Sequence, residues 1–319
     1  MLDLARLQRI QLRRVPTGQK VVAAILALDY RFPRKTEVVI DGFERIPQDR
    51  SVFLAMNHTD RYNYWPLQVR MHQRRMRYTA TWVKGKYYQN PLMAWFMDQT
   101  GNIPLPSRGY VVSVDFQRGT GRAPSGDEYR ALRALVDGKT VTAMPAGVAK
   151  WLADTGGAEA WATAQRARFA AMMDEVMRIN RDALDVGLHV LVFPEGTRRK
   201  RLGPGHTGLI QAAWHLGAAI VPIGCNGSDR IYPGDSPWSV GGRVVYRVGD
   251  VLEPDGPELG PLRVREAFTP FALSASQRHG QAFQAGTDVV MAHIAGLLDP
   301  EYLPAPDDTG DGGGAERFV

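Results

Sequence analysis

The sequence predicts an α/β protein: a single domain with a largely parallel central sheet flanked by helices, preceded by N-terminal amphipathic helices and carrying a helical insertion. Three observations lead there. Short apolar runs of strand length recur at 51–56, 77–82, 189–193, 219–223 and 244–248. Helix-like stretches, among them 171–184 and 208–216, stand between several of these runs. Strands that alternate with helices build a mostly parallel sheet, because each helix carries the chain back to the edge where the previous strand began. Finally, the 319 residues are 44% hydrophobic and 23% charged, a globular composition with apolar material for one large core or two small ones.

Taken in order, residues 2–14 read as a short helix with Arg6, Arg9 and Arg13 on one side and Leu4 and Leu7 on another. Pro16 and Gly18 end it, and a second helical segment follows over 19–30, so that 1–35 forms a basic amphipathic N-terminal unit. Such helices either lie among lipid headgroups or pack on the domain with their arginines solvated, and both readings stay open. From Thr36 the pattern turns to strand and turn: 37–40 is β-prone and Asp41-Gly42 is a turn signal. Residues 36–303 are expected to form the α/β domain, with a helical insertion over about 119–180 that is rich in Ala and Arg. Its opening stretch, Gly119-Thr-Gly-Arg-Ala-Pro-Ser-Gly126, resembles a phosphate loop only superficially. No strand leads into it, and the closing Lys-Ser/Thr pair is missing. Residues 304–319, dominated by Pro, Asp and Gly, are expected to be disordered.

The net charge of +6 favours an anionic partner: lipid headgroups, phosphorylated metabolites or nucleic acid. The single cysteine, Cys225, cannot form an internal disulfide; it suits a reducing compartment and reads as a small apolar filler beside a strand. No histidine stands at ligand spacing beside carboxylates, so no metal site is expected. The best apolar run, 21–28, falls well short of the roughly 20 residues that span a bilayer. No signal-peptide layout accompanies it. The expected location is the cytosol, free or resting on the cytoplasmic face of a membrane.

Three segments carry the polar groups. Val192-Phe-Pro-Glu-Gly-Thr-Arg198 follows an apolar run, so Glu195, Gly196, Thr197 and Arg198 are placed at the carboxyl edge of the sheet, where open α/β folds bind ligands. Gly196 lets backbone approach a ligand closely, Arg198 offers a planar fork that matches phosphate, and Thr197 adds a hydroxyl. Asn57-His58-Thr-Asp60-Arg-Tyr-Asn63 follows the run 51–56, and a histidine at a strand end can serve as a general base near neutral pH. The third segment, 100–108, reads as a short strand ending in Arg108, which could be a second phosphate contact or an ordinary surface arginine after a turn.

In this order and spacing the segments resemble the glycerophospholipid acyltransferase family, which includes lysophosphatidate and glycerol-3-phosphate acyltransferases. Val39-Ile-Asp-Gly-Phe-Glu-Arg-Ile-Pro47 is similar to the lead-in to the family's first motif. Asn57-His58, the 101–108 block, Phe193-Pro-Glu-Gly-Thr-Arg198 and the closing strand 220–223 follow, so the resemblance covers about 37–235. The Phe-Pro-Glu-Gly-Thr-Arg match is the most specific. The resemblance implies transfer of a fatty acyl group from acyl-CoA or acyl carrier protein to a hydroxyl of a phosphorylated glycerol or lysophospholipid, at an anionic membrane surface. It implies that His58 takes the hydroxyl proton, that Glu195, Gly196, Thr197 and Arg198 hold the acceptor phosphate together with Arg108, and that no metal or organic cofactor takes part.

The sequence departs from the family pattern in two places. The first motif is His-x4-Asp, and the position of its acid holds Asn63. An Asn can accept a hydrogen bond from the imidazole and fix its tautomer, but supplies no negative charge. Three readings follow: Asp60 replaces the acid through a local kink, Asn63 serves with slower chemistry, or the protein holds lipid without transferring acyl groups. The lysine often found after the Glu-Gly-Thr-Arg stretch is also absent, and His206-Thr207-Gly208 stands there. The basic run Arg70, His72, Arg74, Arg75 and Arg77 could track a nucleic-acid backbone. Its position just beyond His58 points instead to anionic lipid or carrier phosphates, so nucleic acid is not an expected partner.

Overall fold

The computed structural model describes residues 2–305, so the tail expected to be disordered lies outside the described residues from 306 onward. Seven strands form one sheet: β1 (Thr36–Asp41), β2 (Phe53–Met56), β3 (Thr79–Lys84), β4 (Asn102–Leu105), β5 (His189–Val192), β6 (Ile220–Asn226) and β7 (Gly242–Val248). Their order is β1-β7-β6-β2-β5-β3-β4. Only β6 and β7 pair antiparallel, and every other neighbouring pair is parallel. The largely parallel α/β sheet read from the sequence is therefore the one observed. β2 and β5 are buried throughout, which explains why both read as short apolar runs.

Successive β2 side chains point into opposite cores. Phe53 and Ala55 join one apolar cluster, Leu54 and Met56 the other. Truncating a fully buried phenylalanine such as Phe53 costs about 3–5 kcal/mol, so this central strand anchors both layers.

Eleven helices surround the sheet among the described residues. They are α1 (Leu4–Gln8), α2 (Thr17–Asp29), α3 (Trp65–Gln73), α4 (Pro91–Gln99), α5 (Arg108–Thr120), α6 (Gly126–Val136), α7 (Ala146–Asp154), α8 (Ala158–Val186), α9 (Gly208–Leu216), α10 (Ser228–Ile231) and α11 (Leu273–Ala295). α5 to α8 fill the chain between β4 and β5 and share a small core of their own around Phe116, Leu132 and Trp161. The Gly-rich stretch before α6 forms a helix cap. The Ser125 side chain accepts from the Glu128 N–H, and the Glu128 carboxylate accepts from the Ser125 N–H in return.

The N-terminal segment differs from the helix expected over 2–14. α1 spans only Leu4–Gln8. Leu2, Leu7 and Ile10 sink into the main core, and Arg6 pairs with Asp98 on α4. Burial of one side and an ion pair on the other hold α1 against the domain. α2 instead carries the exposed apolar stripe, with Val21, Ile25 and Leu28 at helical spacing and Phe32 just beyond. No helix among the described residues is long and apolar enough to cross a membrane.

The topology opens a crevice at one point of the sheet. β2 leads to α3, whose Leu67, Val69 and Met71 pack in one core, while β5 leads to α9, whose Leu209 and Ile210 pack in the other. Adjacent parallel strands that send their chains to opposite faces leave a cleft between their carboxyl ends, the favoured ligand site of open α/β sheets.

Candidate active site

The two loops that enter this cleft are 57–64, after β2, and 193–207, after β5. Asn57 closes the first onto the sheet. Its Nδ2 donates to the Cys225 carbonyl at 3.0 Å and its Oδ1 accepts from the Cys225 N–H at 2.7 Å, so the side chain imitates another ladder residue. Cys225 is fully buried, as a small filler should be.

His58 follows at the mouth of the cleft, half-buried, with its ring stacked on Phe193 at 4.0 Å between centroids. Its Nδ1 lies 3.2 Å from Asn63 Oδ1, and the Asn63 Nδ2 donates to the Asn57 carbonyl at 2.7 Å. Because that carbonyl can only accept, the amide nitrogen must face it and the amide oxygen must face the imidazole. Nδ1 therefore carries the ring proton, and the lone pair sits on Nε2. Asn63 is itself locked: it is fully buried, and its carbonyl accepts from the Tyr246 hydroxyl at 2.6 Å. Burial pushes the imidazole down to about 4; the Asn63 bond opposes this, and the nearby charges of Arg198 and Lys84 add to it.

Asp60 does not take the place of the missing acid. Its carboxylate accepts from the Thr59 hydroxyl at 2.9 Å and from the Tyr62 N–H at 2.8 Å, while the imidazole meets Asn63. The expected local kink is an Asx-type turn that closes on its own loop.

Glu195 ties the two loops together. One carboxylate oxygen accepts from the His58 N–H at 2.7 Å and the other from the Gly203 N–H at 2.9 Å. The side chain is buried, and desolvation lifts its pKa to about 7 against the pull of those two bonds. With both oxygens committed to backbone, Glu195 positions His58 and stands apart from the phosphate-holding set in which the sequence placed it. Gly196 turns the chain with φ of 62°, and Thr197 and the exposed Arg198 follow. The Arg198 guanidinium has no ion-pair partner among the described residues, and it lies close enough to press electrostatically on His58. An exposed cation beside an unprotonated imidazole nitrogen suits an anionic molecule that also carries a transferable proton.

Arg108, expected as a second phosphate contact, opens α5 and turns elsewhere. It is buried, 3.3 Å from Asp137 Oδ1, with its guanidinium 5.4 Å above the Phe169 ring. Lys84, the last residue of β3, also acts electrostatically on the imidazole. The signal for Lys84 was a cation at the carboxyl end of a strand, two residues past the end of the apolar run 77–82. Among the described residues, no three His, Cys, Asp or Glu side chains gather to hold a metal ion.

A family model described as acyltransferase matches residues 37–226. A search of curated protein sequences finds none that matches. Six chains of known structure match. One is the crystal structure of the 1-acyl-sn-glycerophosphate (LPA) acyltransferase PlsC from Thermotoga maritima, 14% identical, with a TM-score of 0.40 and covering 88% of this chain and 78% of that one.

Proposed function

The chain belongs to the acyltransferase family, and from that premise we propose that it transfers an acyl group from acyl-CoA or acyl carrier protein to a hydroxyl of a phosphorylated glycerol or lysophospholipid at an anionic membrane surface. The observation that carries the proposal is the pairing of a tautomer-fixed imidazole with the Arg198 cation at the mouth of one cleft. His58 Nε2 takes the acceptor's hydroxyl proton, and the hydroxyl oxygen attacks the thioester carbonyl. As the tetrahedral intermediate collapses, the C–S bond breaks and the imidazolium returns its proton to the leaving sulfur. Arg198, Thr197 and Lys84 hold the acceptor's phosphate, and Asn63 keeps Nε2 unprotonated and aimed.

The test is thiol release from acyl-CoA and from acyl carrier protein with lysophosphatidate, glycerol 3-phosphate and neutral lysolipids as acceptors. Turnover that requires a phosphorylated acceptor supports the proposal; release equal with every acceptor, or with none, overturns it. Arg198→Gln is expected to raise the acceptor KM by roughly 10–100-fold and leave the donor KM unchanged, the effect of losing a charge-assisted contact.

A second reading has one specific observation in its favour. Asn63 brings no negative charge to an imidazole already held near 4, which suits a protein that holds anionic lysolipid without transferring acyl groups. Saturable lysolipid binding without turnover on any donor would select it.

The membrane-facing surface is proposed to be the joint face of α2 and α4. α2 exposes Leu28, followed by Phe32, and α4 exposes Leu92 and Trp95, each more than half accessible. α4 packs against α2, where Gly18 lies so near the Gln99 carbonyl that a Cβ would stand 2.6 Å from it. Exposed Lys20, Arg31, Arg34 and Lys35 border the apolar residues, and basic residues around an apolar face are complementary to an anionic headgroup layer. Leu28→Asp/Phe32→Asp is expected to lower the partition coefficient onto phosphatidylglycerol vesicles, read by co-sedimentation, by at least about 100-fold, since burial of each of the two apolar side chains contributes about 1.5–3 kcal/mol. Unchanged sedimentation would remove this face from the proposal.

A further inference from the structure

Beside the cleft, a cavity of about 700 Å³ opens between the carboxyl ends of β3 and β4 and the helices α5 and α6. Its lining includes Lys84, Lys86, Arg130, Arg133 and Lys139, against the single carboxylate Asp137. Arg133 and the buried Arg108 both hold that carboxylate, at 2.6 and 3.3 Å. Arg130 also pairs with Asp127, so the lining presents five cations against these two carboxylates. The first turn of α5, at Ser107 and Gly109, lies on the same wall and adds the positive end of a 13-residue helix. Two aromatic rings, Tyr110 and Tyr129, complete the lining. Tyr129 lies directly over Gly109, where a Cβ would stand 2.1 Å from its hydroxyl.

We propose that this cavity binds the nucleotide end of coenzyme A, so that acyl-CoA is the donor. The inference rests on the acyl-transfer reading above and names the donor for the same site. Two features of the cavity argue for a nucleotide. Several cations gathered in a concave space match a compact polyanion such as a pyrophosphate with a ribose 3′-phosphate, and tyrosine rings beside them supply a stacking surface for a base. Position argues for the donor. In the acceptor, phosphate and reacting hydroxyl are only a few bonds apart, so its phosphate must stay beside His58. β4, by contrast, stands three strand spacings from β2, about 14 Å along the sheet edge. In coenzyme A the long pantetheine arm separates thioester from phosphates and can cover such a span. Lys84 belongs to both places, lining the cavity and acting on His58, so the cavity adjoins the reacting centre.

The experiment uses the full chain and adenosine 3′,5′-bisphosphate as probe. Native protein is expected to bind it saturably by calorimetry. Lys86→Glu/Arg130→Glu, which alters two exposed side chains and whose melting temperature reports an intact fold, is expected to bind it at least about tenfold more weakly. Tyr129→Ala is expected to weaken the nucleotide several-fold and leave inorganic pyrophosphate unchanged. In steady state the double variant should raise the KM for acyl-CoA about tenfold or more, with kcat and the acceptor KM close to native. Equal nucleotide binding by native and double-variant protein overturns the proposal. So does a rise in the acceptor KM alone, or turnover with acyl carrier protein but not with acyl-CoA. If no acceptor supports turnover, the acyl-transfer reading fails by itself, and nucleotide binding still decides what the cavity holds.

Discussion

Replacing His58 by alanine is expected to lower thioester-dependent turnover by about a hundred- to ten-thousand-fold, the usual range for loss of a positioned general base. The loss should be chemical. Glu195 grips the backbone N–H of residue 58, not its side chain, so alanine keeps the tie at 2.7 Å and the two loops stay in register. Acceptor binding should persist, because Arg198 and Thr197 reside on the other loop. The pH dependence follows from the same geometry. A base works in its unprotonated form, and burial together with the Arg198 and Lys84 charges holds this imidazole near 4. Native kcat/KM, which reports the free enzyme, should therefore show no imidazole limb as pH falls from 8 toward 6, where an ordinary histidine would already be charging. An acid limb should appear only at lower pH. Turnover in His58→Ala within a factor of two of native would assign the proton transfer to another group.

The central strands were legible because both of their faces are covered. β2 and β5 are too short to show a period, yet each is apolar without interruption and ends where polar residues begin. β3 was read two residues early, as 77–82. Arg77 is not part of the strand: its guanidinium donates to the carbonyls of Gln48, Asp49 and Gly187, fastening the loops ahead of it. In the site, the resemblance to the His-x4-Asp motif left Asp60 and Asn63 open as the imidazole's partner, and Asn63 is the one that meets it. Roles set by distant partners were not visible. Arg108 looked available in sequence; Asp137, 29 residues later on the far end of α6, takes it. Glu195 looked like part of a ligand-binding run, and its two backbone partners lie 137 residues before it and 8 after. The N-terminal arginines left two readings open, among headgroups or packed on the domain; Leu2, Leu7 and Ile10 pack into the core, while α2 and α4 expose large apolar side chains.

Asn63→Asp is expected to raise kcat at least about tenfold and to destabilise the fold by about 1–3 kcal/mol, two effects of one atom's replacement. The amide now bridges two neighbours, accepting from His58 Nδ1 and donating to the Asn57 carbonyl. A carboxylate keeps the first contact and adds a negative charge, which favours the imidazolium and lifts its pKa toward the ordinary histidine range. It loses the second contact. The Asn57 carbonyl, buried and 2.7 Å from the substituted position, would face an acceptor instead of a donor. In the proposed reaction the native chain would meet the need for charge in another way. Burial and, to a smaller extent, Arg198 and Lys84 disfavour the imidazolium, and an acceptor phosphate beside these cations would cancel their part of that pressure. In the proposed reaction, binding the acceptor would thus make His58 a better base. An NMR titration of the His58 ring checks both effects without turnover, since no donor need be present. Glycerol 3-phosphate or lysophosphatidate should shift the native titration upward from about 4, and Asn63→Asp should be shifted upward already without it. A His58 titration that ignores both the acceptor and the new carboxylate would mean that neither charge reaches the imidazole, and the assignment of His58 as base would fall with it.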